Sequence, residues 1–176
     1  MTQIPTLRTA RLNLRPFRAA DFNALAAIFA DAEFMRFLGQ GRPRDAAETW
    51  TVLESMLGQW QLRGYGFFAI ESRATGDLLG RAGILHPYDW PEPELAYGIA
   101  HPFWGQGYAR EAAAAARAWA FDWFGFPRLV SYIAAENTRS QRTAAAIGAV
   151  QEGMISSGRL TAQLWVHPAP GHGAVA

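Results

Sequence analysis

Polar and apolar residues alternate from Arg11 to Arg15, the period of a half-buried first strand. Asp21 is placed to cap a helix over Phe22 to Ala30. A shorter helix is expected over Ala32 to Leu38, stopped by Gly39. Asp45 with Glu48 three residues on has the spacing of a capping box. Behind it Trp50, Leu53, Leu57 and Trp60 lie on one helical stripe that ends at Gly64. Strands are expected at Phe67–Glu71 and Leu78–Leu85, either side of the hairpin signal Ala74-Thr75-Gly76-Asp77. A loop rich in Pro and aromatic residues, His86 to Pro93, leads to a strand over Glu94 to Ala100. A helix over Gly107 to Phe124 and a strand over Leu129 to Ala135 follow, then a helix over Thr138 to Ile147. Two last strands are expected near Ala149–Ile155 and Leu160–His167, and the tail 168–176, rich in Pro, Gly and Ala, is expected to fray.

Strand, helix and strand across residues 94–135 make a crossover unit, which implies two parallel strands with a right-handed helical connection. The remaining strands read as hairpin-linked, so the expected fold class is α/β: a mixed sheet covered by helices. With 176 residues, half of them apolar, the chain suits a single domain over residues 1–176 with one core.

Composition removes several chemistries. The chain has no Cys, which excludes a disulfide framework, a thiolate zinc site and a covalent acyl-cysteine. All sixteen basic residues are Arg, which excludes a Lys Schiff base and a P-loop lysine. His86, His101, His167 and His172 show no metal-ligand spacing, so no metal is expected. A net charge of +1 gives no field favouring nucleic acid or an anionic membrane. No apolar run approaches the roughly 18 residues of a membrane helix, and Met1-Thr2-Gln3-Ile4-Pro5 lacks a signal pattern. The expected compartment is the cytoplasm.

The stretch Trp104-Gly105-Gln106-Gly107-Tyr108-Ala109-Arg110-Glu111 falls between the end of a strand and the first turn of a helix. Unpaired N–H groups and the helix dipole favour an anion there, and glycine admits close backbone approach. Arg110 would add a cation. The same two glycines would also serve a plain turn before a buried helix. A dinucleotide-binding fingerprint fits poorly, because its third small position falls on Arg110 and too little chain remains for a doubly wound sheet.

From Glu94 through Trp104 to Ala112 the chain resembles the acyl-CoA-binding motif of the GNAT superfamily of N-acetyltransferases, and most closely the branch typified by the RimJ/RimL ribosomal-protein N-acetyltransferases. Gly107 and Ala109 hold the small positions of the general pattern, and Trp104 stands where that pattern has Arg or Gln. Thr6 to Pro16 resembles the branch's opening strand. Asn137-Thr138-Arg139-Ser140, followed by Ile147-Gly148-Ala149, resembles its second CoA-side motif. The resemblance implies a central, mostly antiparallel sheet, splayed between its two parallel strands to admit a pantetheine arm. It implies acetyl-CoA as co-substrate, with the pyrophosphate on Trp104, Gly105, Gln106, Gly107, Tyr108, Ala109 and Arg110. It further implies a backbone N–H within Tyr97, Gly98 and Ile99 at the thioester carbonyl, and Asn137 near the pantetheine.

Acetyl transfer to an amine needs a base for the amine, donors for the oxyanion and a proton for the leaving thiolate. Without Cys, direct attack in a ternary complex is the natural route. Glu94 is the expected base: Glu92, Glu94, Ala96 and Gly98 share one strand face, small enough to leave room beside Glu94 for a ligand arm. Glu92 is a weaker candidate at the rim. The family often has a Tyr at the position of Ala144, so Ser140, one turn earlier, is the nearest substitute for a proton donor. Thr138 to Gln141 also fits a capping box, which would make Asn137 a turn residue before the cap. Tyr88 and Trp90 are the preferred acceptor wall, with Phe34, Phe37 and Trp50 as alternatives. The acceptor is a primary amine, either a protein N-terminus or a small molecule. A homodimer is left open, and the alternative function is an acyl-CoA-binding module without turnover.

Overall fold

The computed structural model describes residues 4–157 and 160–170. Its centre is an eight-stranded sheet of β1 (Leu7–Arg8), β2 (Leu12–Arg15), β3 (Phe67–Ser72), β4 (Leu78–Leu85), β5 (Glu94–Ile99), β6 (Arg128–Ile133), β7 (Val150–Ser157) and β8 (Leu160–Pro168). The spatial order is β1-β2-β3-β4-β5-β6-β8-β7. Every neighbouring pair is antiparallel except β5 and β6, which are parallel. Helices α1 (Phe22–Phe29), α2 (Ala32–Met35) and α3 (Ala46–Arg63) precede β3, α4 (Tyr108–Phe124) makes the crossover from β5 to β6, and α5 (Thr138–Ala146) leads to β7.

Alternation along the strands assigns the two faces. Leu12, Leu14, Phe68, Ile70, Ile84, Leu95 and Ile99 pack with Ala112, Ala116 and Trp119 of α4. Phe67, Ala69 and Ala96 face the other way, into a cluster with Leu25, Phe29, Phe34, Leu53 and Met56 from α1 to α3. Helices cover both faces, as a sheet with a parallel crossover requires.

Several local expectations shift. The capping box at Asp45 forms: Asp45 accepts from Glu48 N–H at 2.8 Å, and Glu48 accepts from Asp45 N–H at 3.1 Å. The α3 stripe is rotated, however. Thr49, Leu53, Met56 and Trp60 are buried, while Trp50 and Leu57 are 42% and 37% exposed, so the inward face keeps Leu53 and Trp60 but takes Thr49 and Met56 in place of Trp50 and Leu57. Asp21 closes a 3-10 turn, and its carboxylate takes Arg18 N–H and the Arg15 guanidinium instead of capping α1. Helix α2 stops at Met35, where the chain tightens into turns before Gly39. The tail begins later than expected, because Pro168 still pairs opposite Arg128; residues 171–176 lie outside the described residues. No helix among the described residues is long and apolar enough to cross a membrane.

Candidate active site

Backbone parity defines the edges of β5. Ala100 N–H donates to Leu79 O at 2.8 Å, and Val130 N–H donates to Pro93 O at 3.2 Å. Even-numbered residues of β5 therefore turn their backbone groups to β4, and odd-numbered ones to β6. Pairing with β6 is confined to Glu94 opposite Val130 among the described residues. The next regular bond would run from Tyr132 N–H to Leu95 O. Instead Tyr132 N–H meets Glu94 Oε1 at 3.4 Å, and Leu95 O takes the Ser131 hydroxyl at 2.6 Å. Two side chains thus replace the ladder where the parallel strands part. Further along, Ile99 O accepts the Trp104 indole N–H at 2.6 Å, while the N–H groups of Tyr97 and Ile99 face the opening.

A cavity of about 420 Å³, within the range of small-ligand sites, occupies this opening. Its lining includes Gly98, which belongs to the α1–α3 face of β5, and Tyr97 and Ile99, which belong to the α4 face. A Cβ at Gly98 would meet Phe34 Cζ at 3.0 Å, so the strand lies directly against α2. One cavity touches both faces of a central strand only by passing around its free edge. The space is therefore a passage through the sheet. At one end stand Glu33, Phe34, Phe37 and Leu38; at the other stand the glycine loop and α5.

The loop owes its shape to its glycines. Gly105 has φ 75° and Gly107, at the N-terminus of α4, has φ 81°, a region that opposes any Cβ. Its brace comes from the first hairpin. Glu111, on the first turn of α4, accepts from Thr9 Oγ1 at 2.6 Å, from Arg11 N–H at 2.8 Å and from Arg11 Nε at 2.7 Å. Arg11 also donates to Gln106 O at 2.8 Å and lies over the Tyr108 ring. Neither Arg11 nor Thr9 is marked by spacing as part of a site, because the link spans a hundred residues.

Among the expected ligand-binding residues, Tyr97, Gly98, Ile99, Trp104, Gly105, Gly107, Tyr108, Ala109, Arg110, Asn137 and Ser140 line the cavity together. Gln106 does not line it; its carbonyl is held by Arg11. Asn137 is itself the cap of α5, accepting from Ser140 N–H at 3.2 Å, so the capping role expected of Thr138 falls one residue earlier. The Tyr97 hydroxyl donates to Ser140 O at 3.1 Å and accepts from Ser140 Oγ at 3.3 Å, tying β5 to α5 across the opening. Burial pushes the Tyr97 phenol up to about 12, so it is a neutral donor at physiological pH.

Glu94 is buried and lies outside the cavity's lining. The room expected beside it is absent: Glu94 is enclosed, and at Gly98, four residues along the same face, Phe34 already fills the space a side chain would take. Burial raises the Glu94 carboxyl to about 8, opposed by the Tyr132 amide and by Arg81, and its Oε2 has no hydrogen-bond partner. Glu92 is engaged by Arg128 at 2.6 and 2.7 Å. Tyr88 is fully exposed, Trp90 packs against Tyr132 and Trp50 against Phe22, so none of these walls the cavity; Phe34 and Phe37 do. No group of His, Asp and Glu among the described residues is arranged to hold a metal ion.

The Acetyltransferase (GNAT) domain family matches residues 11–150. The crystal structure of an acetyltransferase from Agrobacterium tumefaciens str. C58 superposes with a TM-score of 0.84 at 36% identity, over 94% of this chain and 95% of that one. The Bacillus subtilis protein YoaA, an uncharacterised N-acetyltransferase, is 25% identical over 86% of each chain. The RimL ribosomal L7/L12 α-N-protein acetyltransferase, solved in complex with coenzyme A, shares the fold at a TM-score of 0.78 and 16% identity, over 93% of this chain and 98% of that one.

Proposed function

The chain belongs to the GNAT acetyltransferase family, and from that premise we propose that it transfers an acetyl group from acetyl-CoA to a primary amine by direct attack in a ternary complex. The observation that carries this reading is the passage around the free edge of β5. It lets a donor threaded from the glycine loop meet an acceptor arriving from α2.

The Tyr97 and Ile99 N–H groups are suited to bind the thioester arm and the oxygen on which charge develops. The amine nitrogen forms a bond to the carbonyl carbon, the carbon–sulfur bond breaks, and its electron pair leaves with sulfur. The neutral Tyr97 phenol, paired with Ser140, donates a hydrogen bond to that thiolate, and the proton the sulfur finally takes is the one the attacking nitrogen gives up as it becomes an amide. Glu94, enclosed and outside the cavity's lining, takes the amine's proton by relay through water. A carboxyl near 8 is matched to that task, since an effective base titrates near the working pH. Glu33 at the acceptor end favours an amine arriving as a cation, either a protein N-terminus or a small molecule, and Phe34, Phe37 and Leu38 favour an apolar neighbour to it. The motif over Glu94 to Ala112 supports the RimJ/RimL-type branch.

The test is thiol release from acetyl-CoA in the presence of a panel of peptide N-termini and small primary amines. Release with at least one acceptor is expected, with a rate that climbs as pH rises through 8. Absence of coenzyme A binding, or of release across the panel, would overturn the reading.

A further inference from the structure

We infer that Arg139, mounted on Trp104, is the aimed cation that holds the donor's phosphates, an inference that rests on the acetyl-CoA reading above. Its guanidinium carbon stands 3.5 Å from the centroid of the Trp104 ring, and both side chains line the cavity. Trp104 is itself immobilised, with its indole N–H on Ile99 O at 2.6 Å and His101 packed against it at a ring separation of 4.4 Å. A guanidinium held over an indole at this distance keeps N–H groups free for other partners, and its fork suits paired phosphate oxygens.

The charges around the passage are divided. Arg110, Arg139 and Arg142 line it, and none of them has a carboxylate within ion-pair distance among the described residues. Glu33 is the carboxylate in the lining. Arg11, also beside the loop, is already committed to Glu111 and Gln106 O. Of the uncommitted cations, Arg139 is the one with an aromatic platform. A phosphate on the loop would gain the backbone donors of residues 105–110 on one side and the Arg139 fork on the other. The ligand class is a polyphosphate ester, and both the pyrophosphate and a terminal phosphomonoester of the donor carry the required chemistry.

Calorimetric titration with coenzyme A, dephospho-coenzyme A and pantetheine tests this on wild type, Arg139→Ala, Trp104→Phe, Trp104→Leu and the Arg139→Ala/Trp104→Leu pair. Arg139 is exposed, so its variant retains the fold, which circular dichroism verifies. Arg139→Ala weakens coenzyme A binding about tenfold or more, as loss of a charge-assisted contact does, and leaves pantetheine within about twofold. Trp104→Leu reproduces most of that loss, Trp104→Phe less of it, and the pair is no worse than Arg139→Ala alone. An undiminished Arg139→Ala effect on dephospho-coenzyme A assigns the contact to the pyrophosphate, and an effect lost there assigns it to the terminal phosphate; either supports the inference. Wild-type affinity in Arg139→Ala, an equal loss for pantetheine, or additive losses in the pair overturn it while the acetyl-CoA reading stands. Wild type that binds no coenzyme A overturns both.

Discussion

Replacing Glu94 by Gln is expected to stabilise the protein and disable it together. The buried carboxyl titrates at about 8 in the folded chain, against 4.5 when solvated. Between those values the unfolded chain releases a proton that the folded chain retains, so wild-type stability falls as pH rises. Each unit is worth about 1.4 kcal/mol, and integration from pH 5 to pH 8 gives a loss of about 3 kcal/mol attributable to this group. Gln has nearly the same shape and no charge to desolvate. Glu94→Gln therefore gains little at pH 5 and about 3 kcal/mol at pH 8 relative to wild type. Urea unfolding of both proteins at pH 5, 6, 7 and 8 isolates this site, because histidines that titrate in the same interval cancel in the difference. Turnover by the variant should lose its rise through pH 8 with donor affinity retained. A stability difference that stays constant within about 1 kcal/mol across the range would refute burial as the cause of the shift.

Three further outcomes follow from the same opening. Gly107→Val forces a β-branched residue to φ 81° and brings its Cβ to 3.4 Å from Arg11 Nη2, so coenzyme A affinity measured by titration should fall at least about tenfold; an unchanged affinity in a folded variant counts against the loop as phosphate site. Ser131→Ala strips the partner from Leu95 O and from His167 Nε2, and urea unfolding should show a loss of about 2–4 kcal/mol; a loss below about 0.5 kcal/mol would mean that water fills the gap. Tyr97→Phe should lower kcat about tenfold or more with the donor KM nearly unchanged, whereas a raised KM at constant kcat would reduce Tyr97 to a tie between β5 and α5.

Local chemistry explains what the sequence disclosed. The capping box at Asp45, the glycine-bounded helix α4 and the crossover unit are each written in a few contiguous residues, and each forms. The glycine loop and the second motif converge on one cavity because both flank the single parallel junction. Harder to see were features set by pairs distant in the chain. Strand β1, two residues long, exists because Leu7 and Arg8 pair with Leu14 and Asn13. The Glu111 brace depends on Thr9 and Arg11. The face of α3 is hard to read because Trp50 and Leu57 together are more apolar than Thr49 and Met56, although it is the latter pair that is buried. The lining of the cavity is hidden in the sequence for a related reason. Aromatic content made the loop at Tyr88 and Trp90 attractive, yet only the tertiary position of α2 brings Phe34 and Phe37 to β5.

The opening in the sheet is sustained by polar groups that ordinary strand pairing would have used. Ser131 has one hydroxyl hydrogen and gives it to Leu95 O, so the bond at 2.9 Å to His167 must run from His167 Nε2–H to Ser131 Oγ. In the neutral ring this leaves Nδ1 bare, and that atom has no hydrogen-bond partner among the described residues. Burial, aided by Arg117, holds the imidazole down at about 4, consistent with that neutral form. Glu94 performs the equivalent service for Tyr132 N–H. At the point where β5 and β6 separate, a hydroxyl, an imidazole and a carboxyl thus compensate for missing rungs, at the expense of two buried titratable groups. The backbone N–H groups of Tyr97 and Ile99 receive no such substitute among the described residues, although they lie on the same edge of the same strand. The protein closes the mouth of the splay with its own side chains, and on the proposed reading the interior donors, ladder bonds withheld from β6, are what meets the thioester arm.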